Sequence, residues 1–386
     1  MIPTRPLRVA LVSERRADYS RFKPILSLLR SDPFFEYRLI VTGVSLLKSR
    51  GEDINSIKKD GFDIAATIPM FPERVVRDTG GHMTRGCGRV MIALTDLFEK
   101  LEPDLVLTGF DIGANFAAAV VGAHLNIPVA HIQGGEVTGS IDESLRHAMS
   151  KFAHIHFPAT KSAARRLKRM GEDPRFIFPV GCPSIDALLA APILSREDTC
   201  RIAGVDPQAP YLLVVQHPVT TEMHDAEKQI EITLRAIAKT NVEAVVLYPN
   251  NDAGAEAIVK RIRRGARLKR LKSLSPEHYA NVLRHAAALV GNSSSGIHES
   301  ATFRVPTINI GSRQQGRERA GNVIDVPHDA SAIEHAIRTA LTDEGFRRRV
   351  RRVKNIYGDG QSAERIVSIL KSLNLASVPI QKQFVD

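Results

Sequence analysis

Short apolar runs and amphipathic segments alternate along the whole chain, and turn residues separate them. Short apolar runs between turn residues are typical of strands buried in a parallel sheet. Amphipathic segments, in which apolar residues recur every three or four positions, predict helices. The pattern predicts strands at 7–12, 37–44, 104–107, 125–130, 175–180, 211–215, 244–248, 287–290 and 306–310.

Helices are predicted between most of these strands, and the stretch 45–88 is predicted to consist mainly of loops. Repeated alternation of strand and helix is the pattern of α/β proteins. Because it occurs in both halves of the chain, we predict two doubly wound Rossmann-like domains that face a cleft. Pro192 and polar residues gather between positions 189 and 206, so we place the domain boundary there.

Composition and charge restrict the classes of protein to which the chain can belong. Its 386 residues, of which 43% are hydrophobic and 25% charged, suit a folded protein of two domains. The net charge of +11 fits an anionic ligand and would also fit RNA. Aromatic residues make up only 5%, tryptophan is absent and no nucleic-acid motif is recognised, so we expect no nucleic-acid partner.

The three cysteines lack the spacing of a metal site, and no signal peptide or membrane-spanning run is recognisable. Reduced thiols are typical of the cytoplasm. We therefore expect a cytoplasmic protein that does not associate with membranes.

The stretch 131–147 combines a strand end, a glycine turn and the start of a helix. Ligands of open α/β sheets bind at the carboxyl ends of strands, and Gly134 and Gly135 allow close approach of the backbone. Asp142 lies at the helix N-terminus, where the helix dipole favours a carboxylate, and Arg146 follows on the same helix face. By themselves, these residues would fit a capped helix with surface ion pairs.

Further polar residues follow other predicted strands. Arg16 and Ser20 follow the first strand, and His217 ends a strand of the second half, where it could bind a diphosphate or transfer a proton. Ser293 and Ser294 precede a helix, where hydroxyl and free N–H groups form an anion site. The structural alternatives are helix caps for the serines and Arg16, and a purely structural role for the histidine.

Two more candidates belong to the second half of the chain. Asn250 follows the strand at 244–248 and is a candidate nucleotide ligand. The loop 311–322 carries Arg313 and Arg317 among glycines and suits the binding of phosphate oxygens. A flexible surface loop would have the same composition.

Six stretches in these regions carry a resemblance that covers nearly the whole chain. They are RADYS at 16–20, the stretch 131–157 that begins HIQGGEVTG, QHPVTT at 216–221, YPNNDAG at 248–254, GNSSSG at 291–296 and GSRQQGRE at 311–318. In this order they resemble the hydrolysing UDP-N-acetylglucosamine 2-epimerases, which supply N-acetylmannosamine for sialic acid. The glycine fingerprint of dinucleotide-binding folds is absent, so we reject a dehydrogenase.

The resemblance implies a fold and a reaction. The fold is the GT-B arrangement, with an N-terminal domain at 1–188, a nucleotide-binding domain at 189–368 and a segment at 369–386 that packs back on the first domain. The reaction eliminates UDP from UDP-N-acetylglucosamine and adds water to the resulting glycal, which gives N-acetylmannosamine. The resemblance also implies a homo-oligomer, either a dimer or a tetramer.

The chain departs from the family at two catalytic positions. Where the family has His-Gly-Asp-Arg, this sequence has the longer loop 108–116, in which Asp111 is the candidate for the missing carboxylate. Where the family has the glutamate of His-Ile-Glu-Gly-Gly, this sequence has Gln133, which can hydrogen-bond a sugar hydroxyl but cannot act as a base. Glu136 is a nearby candidate replacement, and Asp142 is retained.

The resemblance and these departures give a set of expected site residues. The catalytic candidates are Asp142, Asp111, Glu136, His217 and Gln133. Those expected to bind substrate are Arg16, Ser20, Gly135, Arg146, His217, Asn250, Ser293, Ser294, Glu299, Arg313 and Arg317, with Glu299 at the family's ribose position. No cofactor and no metal ion are expected, since His154 and His156 lack a third ligand.

Two alternative functions keep a nucleotide sugar as the ligand but differ in the reaction, or in whether any reaction occurs. The altered positions could give hydrolysis without epimerisation, or action on a different nucleotide or a diacetamido sugar. A catalytically silent nucleotide-sugar binding protein is the third possibility, because binding alone would preserve the phosphate-binding residues.

Overall fold

The computed structural model describes residues 5–47, 54–71, 79–110, 113–250, 252–265 and 268–386. These residues form two compact units. Unit 1 comprises Met1–Glu136, Ile141–Ala187 and Gly358–Asp386, and unit 2 comprises Val137–Ser140 and Leu188–Tyr357.

The sheet of unit 1 contains six described strands, all parallel, in the order β3-β2-β1-β4-β5-β6. Their bounds are β1 Leu7–Ser13, β2 Phe35–Thr42, β3 Ile64–Ile68, β4 Leu105–Gly109, β5 Val129–Ile132 and β6 Ile155–Phe157. Alternate residues of β1 are buried in different apolar clusters, with Val9 and Leu11 in one and Ala10 and Val12 in the other. The sheet is therefore covered on both faces, as in doubly wound folds.

The sheet of unit 2 repeats this design in the order β12-β11-β10-β7-β8-β9, again with parallel pairing among the described strands. Its strands are β7 Tyr211–Val215, β8 Glu243–Leu247, β9 Leu268–Leu271, β10 Ala288–Gly291, β11 Thr307–Ile310 and β12 Val323–Val326. The predicted class of two doubly wound α/β units is confirmed.

Helices alternate with these strands along the chain. Their bounds are α1 Arg16–Ser31, α2 Ile54–Lys59, α3 Gly80–Leu101, α4 Gly113–His124, α5 Asp142–Phe152, α6 Lys161–Arg169, α7 Pro183–Ala190, α8 Arg196–Ala203, α9 Ala226–Ala238, α10 Ala255–Arg264, α11 Pro276–His285, α12 Ser295–His298, α13 Ala330–Thr342, α14 Glu344–Arg351 and α15 Ser362–Ser372. In the part of the chain that the structure describes, no helix combines the length and apolar character that crossing a membrane requires.

Two predictions of local structure are wrong. The stretch 45–88 contains α2, β3 and the first turns of α3, which were hidden because β3 is a partly buried edge strand and α3 begins with several glycines. The stretch 175–180 is not a strand: a short 3₁₀ turn at Pro174–Phe176 is followed by a single bridge from Ile177 to β6. Prolines on both sides remove backbone donors that a strand would need.

The C-terminal segment returns to unit 1 from Gly358 onwards, whereas the sequence placed the start of this segment at position 369. The reason lies in α15, whose apolar residues Ile366 and Leu370 are buried in a core cluster of unit 1. A surface ion pair between Lys371 and Asp32 of α1's C-terminal end adds to this packing.

Candidate active site

The carboxyl end of β5 leads into a tight turn at residues 133–136. Gln133 has a φ of 62° and Gly135 a φ of 78°, and the left-handed conformation is unfavourable for a residue with a Cβ such as glutamine. A Cβ on Gly134 would lie 2.8 Å from Nδ1 of His131, and one on Gly135 would lie 2.4 Å from the Ala163 carbonyl oxygen. Both glycines are therefore required by close packing, whichever ligand binds there.

Two arginines hold the carbonyl groups of this turn. Arg146, which is fully buried in α5, donates from Nη1 to the Glu136 carbonyl oxygen over 2.9 Å. Arg166 of α6 donates to the carbonyl oxygen of Gly135. The structure thus places Arg146 against the turn itself and not in the surface ion pair that was its structural alternative. Its role in substrate binding stays a prediction.

The side chains of Gln133 and Glu136 contact each other within the turn. Nε2 of Gln133 donates to Oε1 of Glu136 over 3.2 Å, and both residues are almost fully buried. Oε1 of Gln133 is also buried and has no hydrogen-bond partner within the described ranges.

Asp142 is the first residue of α5 and is half-buried, so its carboxylate lies at the positive end of the helix dipole. Glu143 forms an ion pair with His147 over 3.8 Å, as the spacing of four residues predicts. Asp142 and Glu136 flank the short segment Val137–Ser140, which belongs to unit 2.

His131, on β5, precedes this turn. Burial lowers the pKa of its ring well below the ordinary value, so the ring is neutral. Its Nδ1 lies 3.2 Å from Oγ of Ser150 on α5. His131 therefore joins strand to helix and carries no charge for catalysis.

Two carboxylates are buried near the end of β1, that of Glu14 in the loop after the strand and that of Asp18 in the first turn of α1. Asp18 accepts from the backbone N–H groups of Glu14, over 2.7 Å, and Arg15, over 2.8 Å, and burial raises the pKa of its carboxyl to about 7. Oε2 of Glu14 accepts from the N–H of Ala114 in the first turn of α4, over 2.9 Å. Glu14 was not predicted as a buried residue, because a glutamate followed by two arginines is typical of a solvent-exposed loop.

The remaining candidates of unit 1 lie around this loop. Arg16 and Ser20 are half-buried in the first turns of α1, and Oγ of Ser20 donates to the carbonyl oxygen of Ala17 over 2.9 Å. Asp111 lies outside the described residues.

In unit 2, His217 follows the end of β7 and is fixed from two sides. Its backbone N–H donates to Oδ1 of Asn292 over 2.7 Å, and its carbonyl oxygen accepts from Nδ2 of Asn292 over 2.8 Å. The N–H of Asn250 donates to Nδ1 of His217 over 3.0 Å, which leaves the proton of the neutral ring on Nε2. The side chain of Asn250 contacts Asp252.

The serine-rich turn after β10 leads into α12, which has only four residues. Ser293 is buried, and its Oγ accepts from the N–H of Ser295 over 3.3 Å. Ser294 is the half-buried N-cap residue of α12 and makes no side-chain cap bond. Glu299 accepts from Oγ of Ser295 over 2.6 Å, so its carboxylate is already oriented before any ligand binds.

The loop after β11 brings its arginines back to this turn. Arg313 donates from Nη1 to the Asn292 carbonyl oxygen over 3.2 Å, and its Nη2 lies 4.0 Å from Oδ2 of Asp252. Arg317 is largely buried and contacts the ring of His298. Arg319, in contrast, forms an ion pair with Asp325 over 2.9 Å, so Arg313 and Arg317 are the better placed anion ligands.

The described ranges contain no group of three or more His, Cys, Asp or Glu side chains arranged to hold a metal ion. His154 contacts the backbone of Val129 and Ile380, and Nε2 of His156 lies 3.0 Å from Glu172. Both histidines thus have structural partners.

Comparison with known proteins agrees with this arrangement. A family model described as UDP-N-acetylglucosamine 2-epimerase matches residues 27–371. The UDP-N,N′-diacetylbacillosamine 2-epimerase (hydrolyzing) of Legionella pneumophila is 35% identical over 97% of this chain and 98% of its own. The UDP-N-acetylglucosamine 2-epimerase of Neisseria meningitidis is 30% identical over 98% of this chain and 99% of its own.

The fold also matches a solved structure, that of the Methanocaldococcus jannaschii UDP-GlcNAc 2-epimerase in complex with UDP-GlcNAc and UDP. The TM-score is 0.75 with 18% identity, and the match covers 94% of this chain and 99% of the other. Because the family model spans most of the sequence and the relatives match it over nearly their whole length, the chain belongs to the UDP-N-acetylglucosamine 2-epimerase family.

Proposed function

We propose that the protein is a hydrolysing 2-epimerase of UDP-linked 2-acetamido sugars. A base removes the proton from C2 of the sugar while the bond from C1 to the UDP oxygen breaks, which gives UDP and a 2-acetamidoglycal. Water then adds across the double bond, with its hydroxyl on C1 and a proton delivered to the opposite face of C2. One water is consumed, and UDP and the free 2-epimeric sugar are released.

The observation that carries the proposal is that two acidic residues follow β5 along the chain, Glu136 in the turn at 133–136 and Asp142 as the first residue of α5. The chain that contains them matches a hydrolysing 2-epimerase over nearly its whole length. Elimination needs a group that accepts the C2 proton, and hydration needs one that returns a proton to the other face. We assign these two tasks to Asp142 and Glu136, since the carboxamide of Gln133 cannot take up a proton.

The carboxyl edge of the unit 2 sheet supports the assignment of the UDP half of the substrate. His217 presents an N–H on Nε2, and Arg313 and Arg317 carry charged donors that suit diphosphate oxygens. Ser293 and Ser294 add donors for the same oxygens, while Asn250 and Glu299 are assigned to the nucleoside. These donors can neutralise the leaving UDP, so the proposal requires no metal ion.

The relatives favour one sugar over another. The Legionella enzyme, whose name states a diacetamido sugar, is 35% identical, and the Neisseria enzyme, whose name states N-acetylglucosamine, is 30% identical. We therefore infer that UDP-N,N′-diacetylbacillosamine is the first substrate to test and UDP-N-acetylglucosamine the second.

Proton NMR of the purified protein in deuterium oxide, with each UDP-sugar in a separate tube, tests the proposal. We expect free UDP and the 2-epimeric sugar with deuterium at C2, at a rate that EDTA does not change. Free UDP with an undeuterated, unepimerised sugar would indicate simple hydrolysis, and an epimer still linked to UDP would indicate a non-hydrolysing enzyme. Binding of UDP without turnover of either sugar would favour a binding protein.

A further inference from the structure

We propose that Gln133 is a positioning residue for Glu136, whose carboxylate it orients by a hydrogen bond and keeps ionised for proton transfer. The inference rests on the proposed function, which assigns a proton-transfer task to Glu136. It gives a role to a buried glutamine whose own carboxamide cannot transfer a proton. In this chain the carboxylate is supplied three residues later and the glutamine aligns it.

The first support is the geometry of the turn. Gln133 keeps a φ of 62° although it is not a glycine, and such a conformation persists only where surrounding contacts enforce it. Those contacts are present: the N–H of Gln133 donates to the Phe157 carbonyl oxygen over 2.9 Å, and Arg146 and Arg166 hold the next carbonyl groups. The backbone thus fixes the direction in which the glutamine side chain leaves the turn.

The second support is the polarity of the contact between the two side chains. A carboxamide can present either its NH₂ group or its oxygen, but only the NH₂ group is attracted to a carboxylate. The 3.2 Å bond from Nε2 to Oε1 of Glu136 therefore sets the orientation of the amide, and it favours the ionised form of Glu136. Glutamate at position 133 would instead place two negative charges side by side.

The third support is the atom at the other end of the amide. Oε1 of Gln133 is buried and unpartnered in the described ranges, and an unsatisfied buried acceptor is costly. A hydroxyl or amide N–H of the bound sugar can satisfy it. The same side chain would then contact the sugar with one end and the proton-transfer carboxylate with the other.

Other charged and titratable groups lie near Glu136 and also influence its protonation. Arg146 comes from α5 and Arg166 from α6, and both favour the ionised carboxylate. Cys182, just before α7, is buried, and burial raises the pKa of its thiol to about 11, with a smaller contribution from the charge of Glu136. Arg21 of α1 acts on Cys182 in the opposite direction.

The experiment measures the titration of Glu136 directly and the pH profile of turnover separately. The full-length protein, labelled with ¹³C at glutamate carboxyl carbons, is titrated by NMR, and the Glu136 signal is assigned from its loss in Glu136→Gln. Gln133→Glu removes the donor and adds a charge, so the Glu136 midpoint should rise by at least about one pH unit. The acidic limb of the kcat profile should rise with it.

Gln133→Met removes the donor without adding a charge, and it provides a second reading if the glutamate variant folds poorly. Its midpoint should rise by less, and its KM should increase about tenfold because the acceptor for the sugar is lost. Gln383→Glu adds the same charge at an exposed position of unit 1. It should leave the Glu136 midpoint and the KM unchanged.

The outcomes separate the inference from the proposed function. An unmoved midpoint in both Gln133 variants overturns the inference, even if the wild type turns over its substrate. If the Glu136 midpoint moves but the protein turns over neither UDP-sugar, Gln133 does influence the protonation of Glu136. The role of this contact in catalysis is then overturned. If the Glu136 midpoint moves while the pH profile of kcat stays unchanged, Glu136 does not take part in proton transfer.

Discussion

The side-chain amide of Asn292 holds the backbone of His217 by both of its polar groups, accepting from the N–H over 2.7 Å and donating to the carbonyl over 2.8 Å. The carbonyl oxygen of Asn292 in turn accepts from Arg313 and from Gln314. One asparagine at the end of β10 therefore connects the end of β7 with the loop after β11. These are the segments to which we assign diphosphate binding.

Asn292→Ala should weaken UDP binding, because the backbone of His217 loses both bonds to the Asn292 side chain. The backbone carbonyl that accepts from Arg313 is kept in this variant. Loss of the bonds to His217 should cost about 2 kcal/mol, which corresponds to an increase of about 30-fold in the Kd for UDP. Isothermal titration calorimetry with UDP alone measures this without depending on the sugar.

Asn281 offers a matched control in the same unit. It is equally buried, and its side chain bonds to the backbone of Leu194, Pro192 and Glu277. Asn281→Ala should lower the melting temperature about as much as Asn292→Ala but leave the Kd for UDP unchanged. Equal losses of UDP affinity in the two variants would show that Asn292 acts only through general stability.

Asp142→Asn should reduce kcat by at least about 100-fold, because the carboxamide cannot transfer a proton, while the Kd for UDP should stay within a factor of two. The neighbouring Glu143→Gln is the control, since it removes a charge from the same helix turn and from the half-buried contact with His147. Turnover of Asp142→Asn at the wild-type rate would remove Asp142 from the catalytic residues.

Sequence patterns predicted the central strands well, because these are buried on both faces and consist of apolar residues. The strand at Tyr211–Val215 was predicted at its true bounds, and all five of its residues are buried. The edge strand β3, with its sequence Ile-Ala-Ala-Thr-Ile, was missed because its exposed positions break the apolar run. The edge strands β9 and β12 were also not predicted, for the same reason.

The candidate site could be predicted only in part, since a motif identifies residues but not their contacts. The motif HIQGG marked Gln133 as a departure, yet only the structure shows its amide bonded to Glu136. Arg146 was expected to bind substrate, but neither the motif nor the helical spacing indicated its bond to the Glu136 carbonyl oxygen. Contacts between residues far apart in sequence, such as Glu14 with Ala114, leave no periodic signal.

The buried carboxyl of Asp18 should make stability depend on pH in an unusual direction. Burial raises its pKa from 3.8 to about 7, so between these values the folded state binds more protons than the unfolded state. The free energy of unfolding should therefore fall as pH rises through this window, by up to about 4 kcal/mol, and level off above pH 7. Asp18→Asn should remove this dependence.

Urea denaturation of the wild type and of Asp18→Asn at pH values from 5 to 8 measures the effect. The informative quantity is the difference between the two proteins at each pH, because other groups titrate equally in both. A difference that stays constant across this range would mean that Asp18 is ionised in the folded protein throughout.

Lys382, near the C-terminus, is bound at the end of the helix that begins with Asp142. Its Nζ donates to the carbonyl oxygens of Ser150, over 3.1 Å, Lys151, over 3.0 Å, and Ala153, and it also contacts the Glu172 carboxylate. Burial alone would raise the pKa of Glu172, but hydrogen bonds from His156, Lys151 and Lys382 together outweigh it and lower this pKa to about 2.

Lys382→Met should therefore destabilise unit 1 by about 2–3 kcal/mol, because the last carbonyl groups of α5 and the buried Glu172 lose a charged donor. Hydrogen–deuterium exchange of a peptide covering 142–153 should become faster. Lys371→Met is the matched control: it breaks an exposed pair with Asp32, which contributes little to stability, and should leave exchange in α5 unchanged. If both variants speed exchange in α5 equally, the C-terminal segment acts through general packing and not through Lys382. If only Lys382→Met does so, and kcat falls with it, the helix that carries Asp142 depends on this lysine for its position.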